Sequence, residues 1–260
     1  MKLALLGDPV AQSRSPAIHS AALEAVGISG SYTARRVDEA GIARAVGEVR
    51  RGRLDGANVT MPHKFLAARL ADRLEGPAHR AEATNTLVRR GSRVAGHNTD
   101  VGGVRLAWEW AELPEEGPAL VLGSGGAAAA ALLALEGRPL SISARRPEAA
   151  AALLGRLGVV AQQVEWGRPK EAAVVVNATP LGMNGEALPE PVLTAAAGLL
   201  DMPYGSSETP AVVAGRRLGF PVADGLEVLV AQAALAFELW TGRPAPLDVM
   251  REAARPTADG

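Results

Sequence analysis

Three short phrases hold the residues whose types and spacing could do chemistry. Asn58-Val-Thr-Met-Pro-His-Lys64 ends on a lysine, and Gly96-His-Asn-Thr-Asp100 ends on an aspartate. Gly123-Ser-Gly-Gly-Ala-Ala128 follows soon after and has the small residues of a dinucleotide-binding turn. A lysine, a carboxylate and a nicotinamide site together suggest hydride transfer to a carbonyl with a paired proton donor. Lys64 is expected in the first turn of a helix opened by Pro62, where the helix dipole is positive and a cation is misplaced. Such a charge either extends into water or has a partner and a task, and the sequence leaves both open. Asp100 stands at the start of another helix and reads equally as a plain N-cap. His19, His63, His79 and His97 show no metal-ligand spacing, so no metal is expected. His97, beside the Asp100 phrase, is read as packed or solvated, with a ligand contact as the other reading.

The glycine phrase follows an apolar run, Ala119–Leu122, and opens an alanine-rich helix, Ala127–Leu135. That strand–turn–helix context is what a pyrophosphate needs: a tight turn, close backbone and helix amides aimed at the anion. The next strand ends in Ser141-Ile-Ser-Ala-Arg-Arg-Pro147. An acid for the ribose of NAD is absent there, and two arginines stand in its place. Guanidinium groups suit a 2′-phosphate, so NADP(H) is the expected cofactor. The other reading makes Arg145 and Arg146 surface charges at a helix start.

The elements that must position these groups follow a β-α-β rhythm. Strands are expected at Leu3–Leu6, Ser31–Val37 and Gly56–Thr60. Helices are expected from Ser15 (as N-cap, with Pro16 first in the helix), over Glu39–Gly52, and from Pro62 to about Leu74. Thr86–Arg90 and Val94–Gly96 read as a hairpin across Gly91-Ser92. A helix from Asp100 to Trp110 leads into the second half. There, after the glycine phrase, strands fall at Leu140–Ser143, Val174–Asn177, Leu199–Asp201 and Pro221–Ala223. Helices fall at Pro147–Leu157, Thr209–Leu218, Glu227–Trp240 and Pro246–Ala254, with a frayed end. The expected fold is two α/β domains. Residues 1–100, completed by 228–260, form one with a mainly parallel sheet, 101–227 form the other, and a ligand cleft lies between them.

Composition bounds the function. The 260 residues are 48% apolar and 21% charged, with a net charge of −1 and no block of like charge. That balance speaks against nucleic acid or an anionic membrane as partner. With no cysteine, the chain has no disulfide, thiolate ligand or thiol nucleophile. The opening apolar run stops at Gly7-Asp8-Pro9, too short for a signal peptide or membrane span, so a cytoplasmic location is expected. Lysine occurs only at Lys2, Lys64 and Lys170 among many arginines, a small hint that arginine would not serve at position 64.

Taken in order, further phrases resemble the shikimate dehydrogenase family. These are Gly7-Asp-Pro-Val-Ala-Gln-Ser-Arg-Ser-Pro16 with His19, the Lys64 phrase, Ala83-Thr-Asn85-Thr, the Asp100 phrase, Asn177-Ala-Thr-Pro-Leu-Gly-Met183, Asp201-Met-Pro-Tyr204 and Gly225-Leu-Glu-Val-Leu-Val-Ala-Gln232. The likeness runs nearly end to end and implies a substrate domain beside a Rossmann-type NADP-binding domain. It implies reversible reduction of 3-dehydroshikimate to shikimate by NADPH, within aromatic biosynthesis. By the same resemblance Lys64 and Asp100 form the catalytic pair. Whether the lysine gives the proton or only stabilises charge stays open. Ser13, Ser15 and Tyr204 would bind the substrate carboxylate, and Thr60, Asn85 and Gln232 its ring hydroxyls. Cofactor contacts would come from Gly123, Ser124, Gly125, Gly126, Ala127, Ala144, Arg145, Arg146, Thr179 and Gly225. A monomer or homodimer is expected.

Some positions depart from the family pattern. Gln12 stands where histidine is frequent, Thr84 where a small apolar residue is usual, and Ala144 where asparagine is frequent. Glu227 and Val228 replace a common Gly-Met pair, so altered cofactor affinity rather than lost function is expected. Rival readings are a quinate/shikimate dehydrogenase using NAD, a non-catalytic NADP-binding regulatory module, and an α/β dehydrogenase with another acid/base device. Ser15 and the arginine pair speak against the first. The retained Lys64 and Asp100 speak against the second. The serines and Gln232 speak against the third.

Overall fold

The computed structural model describes residues 1–205 and 207–255. They divide into two compact units, Met1–Gly102 with Val230 onward, and Gly103–Leu229.

The first unit runs β1 (Lys2–Gly7), α1 (Ser15–Ala25), β2 (Ser31–Arg36), α2 (Glu39–Arg50), β3 (Gly56–Val59), α3 (Lys64–Leu70), β4 (Arg73–Leu74), α4 (Pro77–Ala81), β5 (Thr86–Arg90), β6 (Arg93–His97) and the start of α5 (Thr99–Trp110). Its sheet has the order β2-β1-β3-β5-β6-β4. β1 pairs in parallel with β2 and β3, while β5 turns the sheet antiparallel against β3 and β6. Crossover helices join β1, β2 and β3 in parallel, and the two-residue turn joins β5 to β6. Both faces of β3 are buried, and its side chains join Ala4, Leu6, Ile42, Val46 and Leu87 in one apolar core. Such burial stabilises by roughly 25 cal/mol per Å² removed from water.

The second unit continues through β7 (Ala119–Leu122), α6 (Gly126–Ala134), β8 (Leu140–Ser143), α7 (Pro147–Leu157), β9 (Gln162–Val164), β10 (Val174–Asn177), α8 (Glu190–Thr194), β11 (Gly198–Asp201), α9 (Pro210–Leu218) and β12 (Val222–Ala223). Every strand pair here is parallel, in the order β12-β11-β10-β7-β8-β9. This is the doubly wound arrangement, in which the chain leaves its first strand toward one edge and later resumes on the other side. β7, β10 and β11 are buried along their whole length, as parallel strands covered on two faces must be.

α10 (Gly225–Thr241) carries the chain back to the first unit, and α11 (Leu247–Ala254) packs there on α1. Trp240 Nε1 donates to the Leu87 carbonyl at 3.0 Å, and Arg14 Nε donates to the Ala254 carbonyl at 3.2 Å. Among the described residues no helix is long and apolar enough to cross a membrane.

Several expected elements are corrected. Arg14, not Ser15, occupies the N-cap of α1, and Ser15 is the first helical residue. The helix expected from Pro62 to Leu74 spans only Lys64–Leu70, after which Ala71 is extended and Arg73–Leu74 pairs with β6. The Asp72 carboxylate explains the break. It accepts from Val94 N at 2.7 Å and from Arg50, fastening that corner to the sheet instead of to another helical turn. β4, α4, β9 and α8 are additions that the sequence pattern does not predict. The expected fraying of the last residues concerns 256–260, outside those described.

Candidate active site

Lys64 opens α3 and Asp100 lies in the first turn of α5. Their side chains meet, with Lys64 Nζ 2.5 Å from Asp100 Oδ2, at 20% and 14% exposure. Lys64 is therefore not a lysine extending into water. The Asp100 carboxylate is likewise spent on side chains, not on capping: its other oxygen accepts from Asn85 Nδ2 at 2.8 Å.

Asn85 is the centre of the network. Its Nδ2 also donates to Thr99 Oγ1 at 2.9 Å and approaches Gln232 Oε1 at 3.5 Å. Its Oδ1 accepts from Thr99 N at 2.8 Å and Thr86 Oγ1 at 3.0 Å. Asn58 supports it from β3, donating to the Asn85 carbonyl at 3.1 Å and to Thr86 Oγ1 at 3.0 Å, while accepting from Tyr32 Oη at 2.7 Å. All of Asn58, Asn85, Thr86 and Thr99 are buried, so each lost bond would strand a polar atom. Thr84 Oγ1 donates to the His97 carbonyl at 2.5 Å, so the departure from a small apolar residue adds a tie beside Asn85.

Of the remaining expected substrate contacts, Ser13, Ser15 and Thr60 follow the carboxyl ends of β1 and β3, where open parallel sheets place ligand sites. Ser13 lies in the loop after β1, and Ser15 N donates to its Oγ at 3.3 Å. Thr60 follows β3, and its methyl packs so closely on Gly7 that a side chain at position 7 would collide with it. Gln232 projects from α10 in the first unit, whereas Tyr204 lies in the second, after β11.

Sequence reasoning gives no role to Asn58, Thr86 or Thr99. A usable signal exists for Asn58, a polar residue within a strand otherwise reading as buried core. His19 is fully buried and stacked on Tyr32, with ring centroids 4.5 Å apart, and burial pushes its pKa down to about 3. His63 Nε2 donates to the Val37 carbonyl at 2.8 Å. His97 lies 3.5 Å from Glu75, and burial lowers its pKa.

In the second unit the glycine turn joins β7 to α6 at the point where the strand order reverses. Gly123 N donates to the Ser143 carbonyl at 2.8 Å, and Ala178 N to the Leu122 carbonyl at 2.9 Å, locking the ends of β8 and β10 around the turn. Gly123 has φ +115°, and a Cβ there would lie 2.8 Å from the Ala178 carbonyl oxygen. Only glycine fits. A Cβ at Gly125 would meet nothing within 4 Å, and no side chain caps α6, so its first amides remain available to an anion. Ser124 completes that turn, and Gly126 and Ala127 open α6. Ala144 is buried, and Arg145 and Arg146 are exposed at the end of β8. Thr179 follows β10, and Gly225 begins α10 against the Pro203 carbonyl. The residues present thus fit a phosphorylated dinucleotide.

Fold and site define an oxidoreductase of the two-domain α/β class, one unit bearing a doubly wound dinucleotide sheet. A family model described as the shikimate dehydrogenase substrate binding domain matches residues 5–87, and one described as the shikimate 5′-dehydrogenase C-terminal domain matches 225–255. Shikimate dehydrogenase (NADP(+)) of Thermus thermophilus is 37% identical over 260 residues, covering 98% of both chains. The crystal structure of shikimate 5-dehydrogenase from Thermus thermophilus with NADP(H) and shikimate is similar at TM-score 0.89 and 36% identity, over 98% of both chains. A shikimate 5-dehydrogenase from Listeria monocytogenes, solved with shikimate and NAD, is similar at TM-score 0.87 and 28% identity, over 96% of this chain and 95% of that one. The chain belongs to the shikimate dehydrogenase family.

Proposed function

We propose that the protein catalyses the reversible, NADPH-dependent reduction of 3-dehydroshikimate to shikimate in aromatic biosynthesis. The observation that carries this reading is the Lys64–Asp100 pair, tied through Asn85 to Gln232 within a family of shikimate dehydrogenases. Ser13 and Ser15 hold the substrate carboxylate by hydroxyls at the start of α1, joined by Tyr204. Thr60, Asn85 and Gln232 hold the ring hydroxyls. NADPH, when bound, supplies the hydride for the ring carbonyl carbon. Negative charge then develops on the carbonyl oxygen. The Lys64 ammonium stabilises that charge and gives up a proton to it, while Asp100 holds the ammonium in place and aimed.

The dinucleotide is held by Gly123, Ser124, Gly125, Gly126 and Ala127 at its pyrophosphate, and by Ala144, Arg145 and Arg146 at its phosphorylated ribose. Thr179 and Gly225 complete the cofactor set. We take residues 1–100 with 228–260 as the substrate domain and 101–227 as the cofactor domain. The enzyme works in the cytoplasm, where reduced cofactor is regenerated, as a monomer or homodimer without nucleic-acid or membrane partners.

The test is loss of NADPH absorbance with 3-dehydroshikimate, with NADH in parallel and 3-dehydroquinate as competing substrate. Fast oxidation of NADPH with 3-dehydroshikimate alone is expected. Preference for NADH, or for 3-dehydroquinate, would replace this reading by the quinate one. Binding of NADPH with no turnover would point to a regulatory module.

A further inference from the structure

Two phrases of the second unit, Asn177–Met183 and Asp201–Tyr204, contain polar residues that the reaction does not use. Asn177 and Asp201 are 0% exposed, and Thr209 is 3% exposed. Asn177 and Asp201 are adjacent across paired strands, as register partners of β10 and β11, and Thr209 caps α9 beside them. Asn177 Nδ2 donates to Asp201 Oδ1 at 2.7 Å and to the Leu181 carbonyl at 3.0 Å. Asn177 Oδ1 accepts from Thr179 Oγ1 at 2.6 Å and Thr179 N at 3.1 Å. Thr209 Oγ1 donates to Asp201 Oδ2 and accepts from Val212 N at 3.2 Å, so its proton is committed to the carboxylate.

The logic of this chain is directional. An ionised carboxylate only accepts, so the Asn177 amide must turn its NH₂ toward Asp201. Its oxygen is then left facing Thr179. Both donors and both acceptor bonds of the amide are thereby used, and the Thr179 hydroxyl is drawn inward. It accepts in turn from Leu181 N at 3.1 Å. With the hydroxyl inward, the Thr179 methyl faces the glycine turn: Cγ2 lies 3.3 Å from where a Cβ at Gly123 would be. Thr209 adds a second tie by packing against Gly182, which has φ +107° in the same loop.

We propose that Asp201 is a positioning residue for the dinucleotide: through the Asn177 amide it fixes Thr179 so that the methyl, not the hydroxyl, lines the cofactor side of the Gly123 turn. The inference rests on the reading of Thr179 as a cofactor contact. It predicts that binding depends on the Thr179 methyl, and on Asp201 only through that methyl.

The test is titration calorimetry of NADP⁺ binding to the full chain, without turnover. Thr179→Ser, which keeps the hydroxyl and removes the methyl, weakens binding about fourfold, the worth of one buried methyl group. Asp201→Ala weakens it by about the same factor in the parent chain and adds nothing in the Thr179→Ser background, as expected for residues acting as one unit. Asp201→Asn restores parent affinity, because its amide oxygen still accepts from Asn177. If Asp201→Ala fails to fold, Asn177→Ala carries the same cycle by removing the relay itself. Unchanged affinity in Thr179→Ser would overturn the reading of Thr179, and the proposal with it. Weakening by Thr179→Ser alone, or additive losses, would overturn the role of Asp201 while leaving Thr179 as a contact.

Discussion

Lys64 and Asp100 are 36 positions apart, yet their side chains meet directly, and the Asn85 amide holds the carboxylate by its other oxygen. An ammonium at the start of a helix is disfavoured by the helix dipole, and the carboxylate offsets that cost while fixing its direction. Asp100→Asn keeps the shape and removes the charge. Turnover in that variant is expected to fall about 100-fold, within the range of a lost acid/base device, with the melting temperature nearly unchanged. Initial rates and a thermal melt check it; full activity would mean the carboxylate only holds the fold. At this scale much is legible in the sequence. Lys64, Asp100, Asn85 and the glycines are marked by residue type, and by their resemblance to a family. Asn58 is marked only as a polar residue in an apolar strand, and Thr86 and Thr99 not at all, because their task is to satisfy Asn85, and that need appears only once strands from separate parts of the chain are side by side. Ser15 reads as an N-cap because Ser-Pro is a frequent helix start, but the preceding Arg14 has helical dihedrals and takes the position.

At the scale of elements, the strands of the doubly wound sheet are easy to read, as short apolar runs bounded by glycine and proline. The elements that escape such reading have only two to five residues, too few for any periodicity to register. The over-long helix after Pro62 has the same origin. Leu66, Leu70 and Leu74 continue a helical spacing, while the bonds of Asp72 to Val94 and Arg50, invisible locally, end it. β10 and β11 place Asn177 beside Asp201, and this pairing has a thermodynamic signature. Burial raises the Asp201 pKa from 3.8 to about 6, against the pull of bonds from Thr209 and Asn177, and the nearby Asp224 charge pushes it further up. The folded chain therefore holds a proton that the unfolded chain releases between these values, and stability falls as pH rises through that window. Relative to the parent, Asp201→Asn should gain up to ~3 kcal/mol between about pH 4 and pH 7, at 1.36 kcal/mol per unit. Urea unfolding at both pH values checks it; a pH-independent difference would show that Asp201 does not titrate there.

At the scale of the whole molecule, each unit carries its own sheet and one part of the chemistry. The first is assembled from both ends of the chain, with α11 laid on α1 and tied by Arg14. Net charge is −1, so selectivity for a phosphorylated cofactor must come from local groups, not from the overall field. We propose Arg145 and Arg146, exposed at the end of β8, as those groups. Replacing both by alanine should cut the preference for NADPH over NADH by about 10- to 100-fold, as expected for lost charge-assisted bonds, while kcat with saturating NADPH stays close to the parent. Parallel KM measurements with the two cofactors check it, and an unchanged ratio would move the discrimination elsewhere. The proposed reaction rests on Lys64 acting in the transition state. The most direct measurement is therefore the steady-state rate of Lys64→Ala with 3-dehydroshikimate and saturating NADPH. A fall in kcat of about 1,000-fold with KM changed less than about threefold is predicted. A rise in KM alone, with kcat retained, would contradict it and reduce Lys64 to a substrate-binding group.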